Sequence, residues 1–261
     1  MFDLVLATVD RLRELSRFLD SLERQTYRDF RLLLVDQNED DRLEPLLREH
    51  SSIDVVHLRS PRGLSRARNA ALRELRADFV AFPDDDCVYP DDLVERVALR
   101  FSRSLDGVTG RSSAAESWAP EPAVLTRDNL WNRAISYTIF LRREIVERVG
   151  DFDERLGLPS SSGEEIDYLV RALDTGARIE YEPSLVVEHA EEPRDPRQLA
   201  ARDGRSIGYI LRKHRYPPRV VARMLVRPAA GAVLAALRND RARARFYAST
   251  LRGRLLGYRA A

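Results

Sequence analysis

Short apolar segments alternate with helical hydrophobic patterns over the first 86 residues. Four segments have the composition of strands buried on both faces, at residues 3–8, 30–36, 53–59 and 78–83. Apolar side chains at helical spacing separate the first two segments and the last two: Leu12, Leu15, Leu19 and Leu22, then Leu64, Ala67, Ala71, Leu72 and Leu75. This order predicts a doubly wound α/β sheet of mostly parallel strands, with ligands beyond the carboxyl ends of the strands.

The pattern is less regular after residue 90. We expect a helix over 91–104, a strand at 107–112, a loop over 113–130, an extended segment at 136–141 and a short helix at 142–149. A further helix is predicted at 163–175, followed by a strand pair at 178–181 and 185–189. The tail, 196–261, is predicted to form two or three helices, broken at Tyr216-Pro217-Pro218 and at Asn239-Asp240.

Charge divides the chain more sharply than hydrophobicity does. Of the 261 residues 44% are hydrophobic, which suffices for a core, and the net charge is +1. Residues 201–261 carry fifteen basic and two acidic side chains, a charge of +13, whereas residues 1–200 carry −12. An acidic body and a basic tail therefore need separate explanations.

Compartment follows from three further observations. Cys87 is the only cysteine, which excludes an intrachain disulfide and a cysteine-based zinc site. Charged residues interrupt the apolar start, so no signal peptide is expected. The longest uncharged apolar run, 229–237, is shorter than the about 20 residues that span a bilayer. The chain is expected to be cytoplasmic and not to cross a membrane.

The predicted strand ends carry the candidate chemistry. Thr8 is followed by no glycine, which argues against a nicotinamide or flavin enzyme. Asp36 ends the second strand, where it either binds a nucleoside or forms an ordinary turn. Asp84, Asp85 and Asp86 end the fourth strand, and alternate residues of an extended segment face one side. Asp84 and Asp86 are thus expected to hold Mg²⁺ or Mn²⁺, the alternative being a solvated acidic turn that caps the next helix.

A buried arginine is expected beside these carboxylates. Arg68 lies inside the apolar arc of its helix, so it must meet an anion, either a core carboxylate or a bound phosphate. Arg66 lies on the opposite, solvated face. A cation held by Asp84 and Asp86, together with Arg68 and a helix N-terminus, would neutralise a diphosphate without a glycine-rich loop.

The second half adds further candidates. Glu164 and Glu165 open a helix, where a glutamate is placed to act as a general base, although Ser161 with Glu164 and Ser162 with Glu165 also match a capping box. His189 ends an apolar run as either a structural residue or a nitrogen ligand of the same metal. Two tryptophans either stack on a sugar or anchor a loop: Trp118 and Trp131.

Taken together, these segments resemble the family 2 glycosyltransferases, which are inverting enzymes with the GT-A fold. The resemblance covers roughly residues 1–190 and has six parts in the family's order. They are the Leu15–Gln25 pattern, Asp36, GLSRARNAAL (63–72), VAFPDDDCVYPDDL (80–93), VGDFDERLG (149–157) and GEEIDYLVRAL (163–173). It implies a GT-A domain over 1–195, with a nucleotide-sugar half at 1–112 and an acceptor and catalytic half at 113–195. The basic helical tail follows at 196–261.

The resemblance also implies roles. Thr8, Asp36, Arg68, Asp84 and Asp85 would contact the nucleotide, and Asp84-Asp85-Asp86 corresponds to the family's DxD motif, with Asp86 as the direct metal ligand. Glu165 stands where many members have the aspartate base, with Glu164 as substitute, and the acceptor site is assigned to Trp131 and Glu164. The implied reaction moves a hexosyl group with inversion from a nucleoside-diphosphate sugar to a saccharide or lipid-linked acceptor, in cell-surface polysaccharide or glycolipid assembly.

Other functions share some of these sequence features. A metal-dependent phosphohydrolase would share the acidic motif. Such an enzyme would also carry a lysine downstream of the motif, whereas the only lysine here is Lys213 in the tail. A nucleotidyltransferase would share the metal and nucleotide sites. A nucleic-acid-binding tail lacks a recognisable motif, so no nucleic acid is expected. The tail helices either lie on the anionic inner face of the cell membrane, making the protein peripheral, or dock on the acidic body.

Overall fold

The computed structural model describes residues 1–101, 104–113, 118–157, 162–189 and 195–260. The chain divides into two compact units. The first comprises Met1–Glu154 and Tyr168–Glu191, and the second comprises Arg155–Asp167 and Glu192–Ala261. Residues 155–167, which precede the tail in sequence, thus belong to the same unit as the tail.

The first unit is built on a nine-stranded sheet. Its strands are β1 (Phe2–Thr8), β2 (Phe30–Asp36), β3 (Val55–Arg59), β4 (Phe79–Ala81), β5 (Cys87–Val88), β6 (Gly107–Ser112), β7 (Ala123–Val124), β8 (Ile139–Arg142) and β9 (Ile179–His189). The order is β3-β2-β1-β4-β8-β6-β9-β5, and β7 also pairs with β9. Pairing is parallel from β3 to β4 and between β6 and β9, and antiparallel wherever β5, β7 or β8 takes part.

In the described part of the chain, six helices precede residue 195. They are α1 (Leu12–Glu23), α2 (Glu44–Glu49), α3 (Leu64–Leu72), α4 (Leu93–Phe101), α5 (Arg143–Val149) and α6 (Glu164–Asp174). The last of them, α6, begins in the second unit and ends in the first. Short 3-10 turns occupy Leu130–Asn132 and Ser136–Thr138. All seven residues of β1 are buried, as expected for a central parallel strand covered on both faces. The parallel α/β architecture predicted from the hydrophobic pattern is confirmed.

Three details differ from the expectation. The strand pair predicted at 178–181 and 185–189 is wrong, because β9 runs unbroken over eleven residues and carries Pro183 inside it. The extended segment predicted at 136–141 begins as a 3-10 turn and becomes a strand at Ile139. The loop predicted at 113–130 contains β7, and residues 114–117 of that loop lie outside the described part of the chain.

The second unit contains three long helices. They are α7 (Pro196–Lys213), α8 (Pro218–Leu237) and α9 (Arg241–Ala260), and their breaks fall where the sequence predicts them. Asp195 caps α7 by accepting from the Arg197 backbone N–H at 2.9 Å.

Helices α7 and α9 approach each other at backbone distance. A Cβ added to Gly208 would lie 2.0 Å from the Arg254 carbonyl oxygen, and one added to Gly257 would lie 1.8 Å from that of Arg205. Gly204 and Gly253 are similarly confined, with backbone oxygens 2.6 and 2.5 Å from an added Cβ. Glycine at these four positions is therefore a packing requirement of the helix pair.

Helix α8 is unusually apolar for its exposure. Among the described residues it is the one helix long and apolar enough to cross a bilayer, with a mean hydropathy of 1.7 over its best 18-residue window and 17% of that window buried. Its exposed apolar side chains are Val226, Val233, Leu234 and Leu237. The uncharged run 229–237 covers less than half of this helix, because Arg223 and Arg227 interrupt the apolar residues that precede it.

Candidate active site

The three carboxylates after β4 lie at the carboxyl edge of the sheet, and each has different partners. Asp84 forms an isolated parallel bridge with Ala7 at the end of β1. Its side chain accepts hydrogen bonds from Arg68 Nη2 at 3.0 Å and from Ser136 Oγ at 3.0 Å. Asp84 is thus fixed by two residues far from it in sequence.

Asp85 is tied to the end of β1. Its Oδ2 accepts from Thr8 Oγ1 at 2.7 Å, and its Oδ1 accepts from Arg11 Nη1 at 3.0 Å. Burial raises the pKa of Asp85 to about 6, with the negative charge of Asp86 adding to it, although the Thr8 hydroxyl and Arg11 act in the opposite direction.

Asp86 is paired with a histidine and with the same arginine. His189 Nε2 lies 3.0 Å from Asp86 Oδ1, and Arg11 Nη1 lies 2.5 Å from Oδ2. Burial favours the neutral acid, but His189 and Arg11 outweigh it and lower the pKa of Asp86. Burial likewise opposes the charged imidazole, yet Asp86 and Asp84 raise the pKa of His189.

The orientation of His189 is set by backbone and ring contacts. Antiparallel pairing places it opposite Cys87, directly after the carboxylates. Its ring stacks on Tyr137 with centroids 4.8 Å apart and an interplanar angle of 12°. The backbone pairing with Cys87 and the stacking on Tyr137 together position the imidazole beside Asp86.

Asp84, Asp86 and His189 form a donor set suited to a divalent cation. One ligand atom from each lies within 4.8 Å of the others. Two carboxylates and one imidazole are ligands that Mn²⁺ accepts readily, and Mg²⁺ prefers the carboxylates. The residues therefore fit the metal that the acidic motif predicts.

Arg68 is completely buried and meets a core carboxylate, one of the two partners expected for it. Besides pairing with Asp84, its guanidinium lies 5.5 Å from the Phe152 ring centroid and 6.0 Å from that of Phe82. Arg66 is half exposed, as expected, and pairs with Glu154 at 3.1 Å. Arg68 joins α3, the acidic motif and the turn after α5 in one cluster.

Asn69 completes the contact between two of the sequence motifs. Its Oδ1 accepts from the Phe152 backbone N–H at 2.7 Å, and its Nδ2 donates to the Phe152 carbonyl at 3.0 Å. The GLSRARNAAL and VGDFDERLG segments, distant in sequence, therefore pack directly together.

Arg11 also belongs to this cluster, although the sequence patterns do not single it out. Its guanidinium bridges Asp85 and Asp86, and its side chain is 29% exposed. The available signal was positional: β1 and β4 are adjacent parallel strands, so a cation just after β1 must lie near acids just after β4.

Asp36 is the centre of a separate network beside Thr8, its parallel neighbour on β1. Its Oδ1 accepts from the backbone and side-chain nitrogens of Asn38 at 2.8 and 2.7 Å. Oδ2 lies 3.1 Å from His57 Nε2 and 3.3 Å from Arg59 Nη1. Because the Asp36 side chain has no exposed surface, a nucleoside contacting it would replace His57 or Arg59 at Oδ2.

The turn after β2 also fixes the start of α3. Gln37 Oε1 accepts from the Gly63 backbone N–H at 2.7 Å. Gly63 has φ of 137°, a conformation that strains other residues, which explains the glycine that opens this motif.

The second unit contains the candidate base. Glu165 is half-buried and Glu164 is buried, both in the first turn of α6. The Ser162 hydroxyl donates to Asp203 Oδ1 at 2.8 Å, and Ser161 lies outside the described residues. Ser162 thus links the start of α6 to α7.

Asp167, in the same turn of α6, has an unexpected pair of partners. Lys213 Nζ lies 2.6 Å from its Oδ1 and His214 Nε2 lies 2.8 Å from it, although the Asp167 side chain has no exposed surface. The only lysine of the chain therefore serves to neutralise a buried carboxylate beside Glu164 and Glu165.

Trp131 lies in the first 3-10 turn. Its Nε1 donates to the Arg127 carbonyl at 3.2 Å, so its N–H group anchors that turn locally.

Solved structures share this architecture. Mannosyltransferase PcManGT from Pyrobaculum calidifontis, in complex with GDP-Man and Mn²⁺, matches with a TM-score of 0.71 and 17% identity, over 98% of this chain and 86% of that chain. S. aureus TarS 1-349 in complex with UDP-GlcNAc matches with a TM-score of 0.66 and 16% identity, over 97% and 92%. The mixed, mostly parallel nine-stranded sheet is therefore the GT-A fold.

Sequence comparisons identify the family. Pre-mycofactocin glycosyltransferase of Mycobacterium tuberculosis is 30% identical over 158 residues, covering 54% of this chain. The match covers only 33% of that relative's length. Glycosyltransferase AglE of Haloferax volcanii is 22% identical over 206 residues, covering 72% of this chain and 66% of that protein. The profile of Glycosyl transferase family 2 matches residues 3–149, and the chain belongs to this family.

Proposed function

We propose that the chain is a metal-dependent, inverting hexosyltransferase that uses a nucleoside-diphosphate sugar. The observation that carries this proposal is the convergence of Asp84, Asp86 and His189 at the carboxyl edge of the sheet. Structures of the same fold bind GDP-Man with Mn²⁺ and UDP-GlcNAc, which supports a nucleotide-sugar donor.

The donor side is assigned to the first unit. Asp84, Asp86 and His189 would hold Mg²⁺ or Mn²⁺, and the bound cation supplies positive charge that stabilises the departing diphosphate. Thr8, Asp36, Arg68, Asp84 and Asp85 are assigned to the nucleotide. Arg68 and Asp85 would act on the nucleotide through the geometry of the carboxylates, because Arg68 is paired with Asp84 and Asp85 with Thr8.

The acceptor side is assigned to Glu165, with Glu164 as substitute and Trp131 as a further acceptor contact. Glu165 removes the proton of an acceptor hydroxyl, whose oxygen forms a bond to the anomeric carbon. The bond to the diphosphate oxygen breaks, and its electron pair leaves with the nucleoside diphosphate. A single displacement of this kind inverts the anomeric centre.

A binding experiment tests the donor site independently of the acceptor site. Thermal shifts with a panel of nucleotide sugars, in Mn²⁺ or in EDTA, identify the donor and its metal linkage. Asp86→Ala should abolish the Mn²⁺-dependent shift, whereas the control Glu188→Ala, an exposed neighbour of His189, should retain it. If Asp86→Ala retained the Mn²⁺-dependent shift, as Glu188→Ala should, the metal assignment would be refuted.

A transfer assay then tests the base. Glu165→Gln should keep donor binding and lose transfer by about a thousandfold, as expected for removal of a general base. Glu164→Gln tests the substitute base, and Glu144→Gln, which changes an exposed glutamate in the first turn of α5, is the control that should keep transfer. Full transfer by Glu165→Gln would refute the assignment, and loss only in Glu164→Gln would move the role to that residue.

We further propose that the second unit attaches the enzyme to the inner face of the cell membrane, beside a saccharide or lipid-linked acceptor of cell-surface polysaccharide or glycolipid assembly. The exposed apolar face of α8 and the +13 charge of residues 201–261 support this. Flotation with anionic vesicles tests it: Val233→Asp with Leu237→Asp should prevent flotation. Arg223 and Arg227 favour a helix on the surface over a spanning one, and resistance of α8 to alkaline extraction would overturn that choice.

A further inference from the structure

A cavity of about 630 Å³ opens between α7 and α9 in the second unit. Gly253 lies at its wall, where α9 approaches the Ala201 carbonyl so closely that an added Cβ would lie 2.5 Å from its oxygen. Longer side chains on both helices flank this close contact. The cavity is therefore a consequence of how the glycines bring the two helices together.

Positive charge dominates one part of the wall. Arg202, Arg205 and Arg252 line the cavity, and the one carboxylate among the lining residues is Asp195. Asp195 already accepts from the Arg197 backbone N–H as the cap of α7. Arg202 also donates to Asp203 at 3.1 Å, which leaves Arg205 and Arg252 as the most exposed cations of the wall.

Another part of the wall is apolar, although Gln198 and Ser249 also line the cavity. Leu199 and Leu256 line it, and Leu256 is 41% exposed, as is its neighbour Leu255. Exposed leucines next to arginines form a surface with a cationic part and an alkyl part. Arginine guanidinium groups match phosphate oxygens geometrically, and the leucines match a hydrocarbon chain.

We propose that this cavity binds the phosphate headgroup of an anionic lipid, with Arg205 and Arg252 on the phosphate and the first acyl segment on Leu199 and Leu256. Inorganic phosphate alone would leave the leucines in water, so the lipid is the occupant that covers both parts of the wall. The proposal rests on the proposed membrane attachment of the second unit and not on sugar transfer.

Calorimetry with monomeric dihexanoyl-phosphatidic acid tests the site in the full chain. The double variant Arg205→Gln, Arg252→Gln should bind this lipid at least tenfold more weakly than the unaltered protein. The matched control, Arg243→Gln with Arg245→Gln, removes the same charge from exposed positions of α9 that do not line the cavity and should leave the affinity unchanged. Equal losses in both double variants would overturn the proposal in favour of diffuse electrostatic attraction.

Two further arms distinguish the source of the phosphate and guard against misfolding. Inorganic phosphate should bind at least tenfold more weakly than the lipid, and equal affinities would overturn the alkyl part of the proposal. Leu256→Asn, at a partly exposed position, should weaken lipid binding about fivefold without changing phosphate binding, and no change would count against the site. If the α8 variants float normally while the cavity variants bind the lipid more weakly, the cavity proposal is supported and membrane attachment through α8 is refuted.

Discussion

Arg68 and Asp84 form a hydrogen-bonded ion pair across 3.0 Å, in which the arginine side chain has no exposed surface and the aspartate side chain is 26% exposed. The arginine lies against two phenylalanine rings, and Asp84 is an anion that offsets its buried charge. The pair therefore fixes one of the three proposed cation ligands before any donor binds.

Replacing Arg68 by methionine should lower the free energy of unfolding by about 3 kcal/mol, because it leaves Asp84 without its buried partner. Equilibrium urea denaturation measures this. Arg66→Met, on the exposed face of the same helix, should change stability by less than about 0.5 kcal/mol. Equal effects of the two substitutions would contradict the role of the buried pair.

Replacing Arg11 by glutamine should strengthen Mn²⁺ binding in the absence of nucleotide. Arg11 hydrogen-bonds to Asp86, so it competes with a cation for that carboxylate. The expected gain is roughly tenfold, about 1.4 kcal/mol, measured by calorimetric titration at low ionic strength. Arg24→Gln, an exposed arginine paired with Asp91, is the control and should have no effect. Weaker Mn²⁺ binding by Arg11→Gln would show that the guanidinium assists the cation.

Replacing Lys213 by methionine should loosen the first turn of α6. The substitution keeps the alkyl stem but leaves the buried Asp167 carboxylate with His214 as its remaining partner among the groups described above. We expect a loss of about 2 to 3 kcal/mol and faster hydrogen exchange at residues 164–167. Arg219→Met, an exposed change of equal charge, should leave that exchange unaltered. Unchanged exchange in Lys213→Met would refute the role of this pair.

Replacing Gly257 by alanine should separate α7 from α9. The added Cβ would lie 1.8 Å from the Arg205 carbonyl oxygen. Because that oxygen belongs to the backbone of α7, the clash can be relieved only by moving the helices apart, whereas a side chain could rotate away. A loss of about 2 kcal/mol is expected even after the better helix propensity of alanine. Gly231→Ala is the control, since its nearest contact is the movable Tyr247 ring at 2.9 Å, and it should be close to neutral. Hydrogen exchange of the α7 and α9 amides measures both.

Local sequence patterns account for most of the elements. The buried strands, the helical stripe that includes Arg68 and the three tail helices all follow from periodicity and from breaks at proline and asparagine. The unbroken β9 does not, because Pro183 normally ends a strand interior. Here the register between β6 and β9 shifts near Gly110, where an added Cβ would lie 2.2 Å from the Leu185 carbonyl oxygen. That irregularity accommodates the proline and is a property of the paired strands.

The candidate active site likewise contains residues that the sequence patterns predict and residues whose contacts only the structure shows. The acidic motif and the buried arginine are visible in sequence because a charge stands out in an apolar pattern. The bridging role of Arg11 and the pairing of Lys213 with Asp167 are not visible, because both depend on which elements become neighbours. Asp36 illustrates a third case: its position is predictable, but its engagement with His57 and Arg59 needs the register of β2 with β3.

The antiparallel pairing of β5 with β9, which places Cys87 opposite His189, also determines when the proposed cation ligands can come together. Asp86 and His189 are roughly one hundred positions apart, and the loop-closure entropy of such a separation opposes folding until the contact forms. Although Asp84 and Asp86 are made early in synthesis, their nitrogen partner arrives only when β9 has joined β5. With the proposed ligands, affinity for a divalent cation requires the β5–β9 pairing, and the rate at which it appears during refolding would report the formation of that pairing.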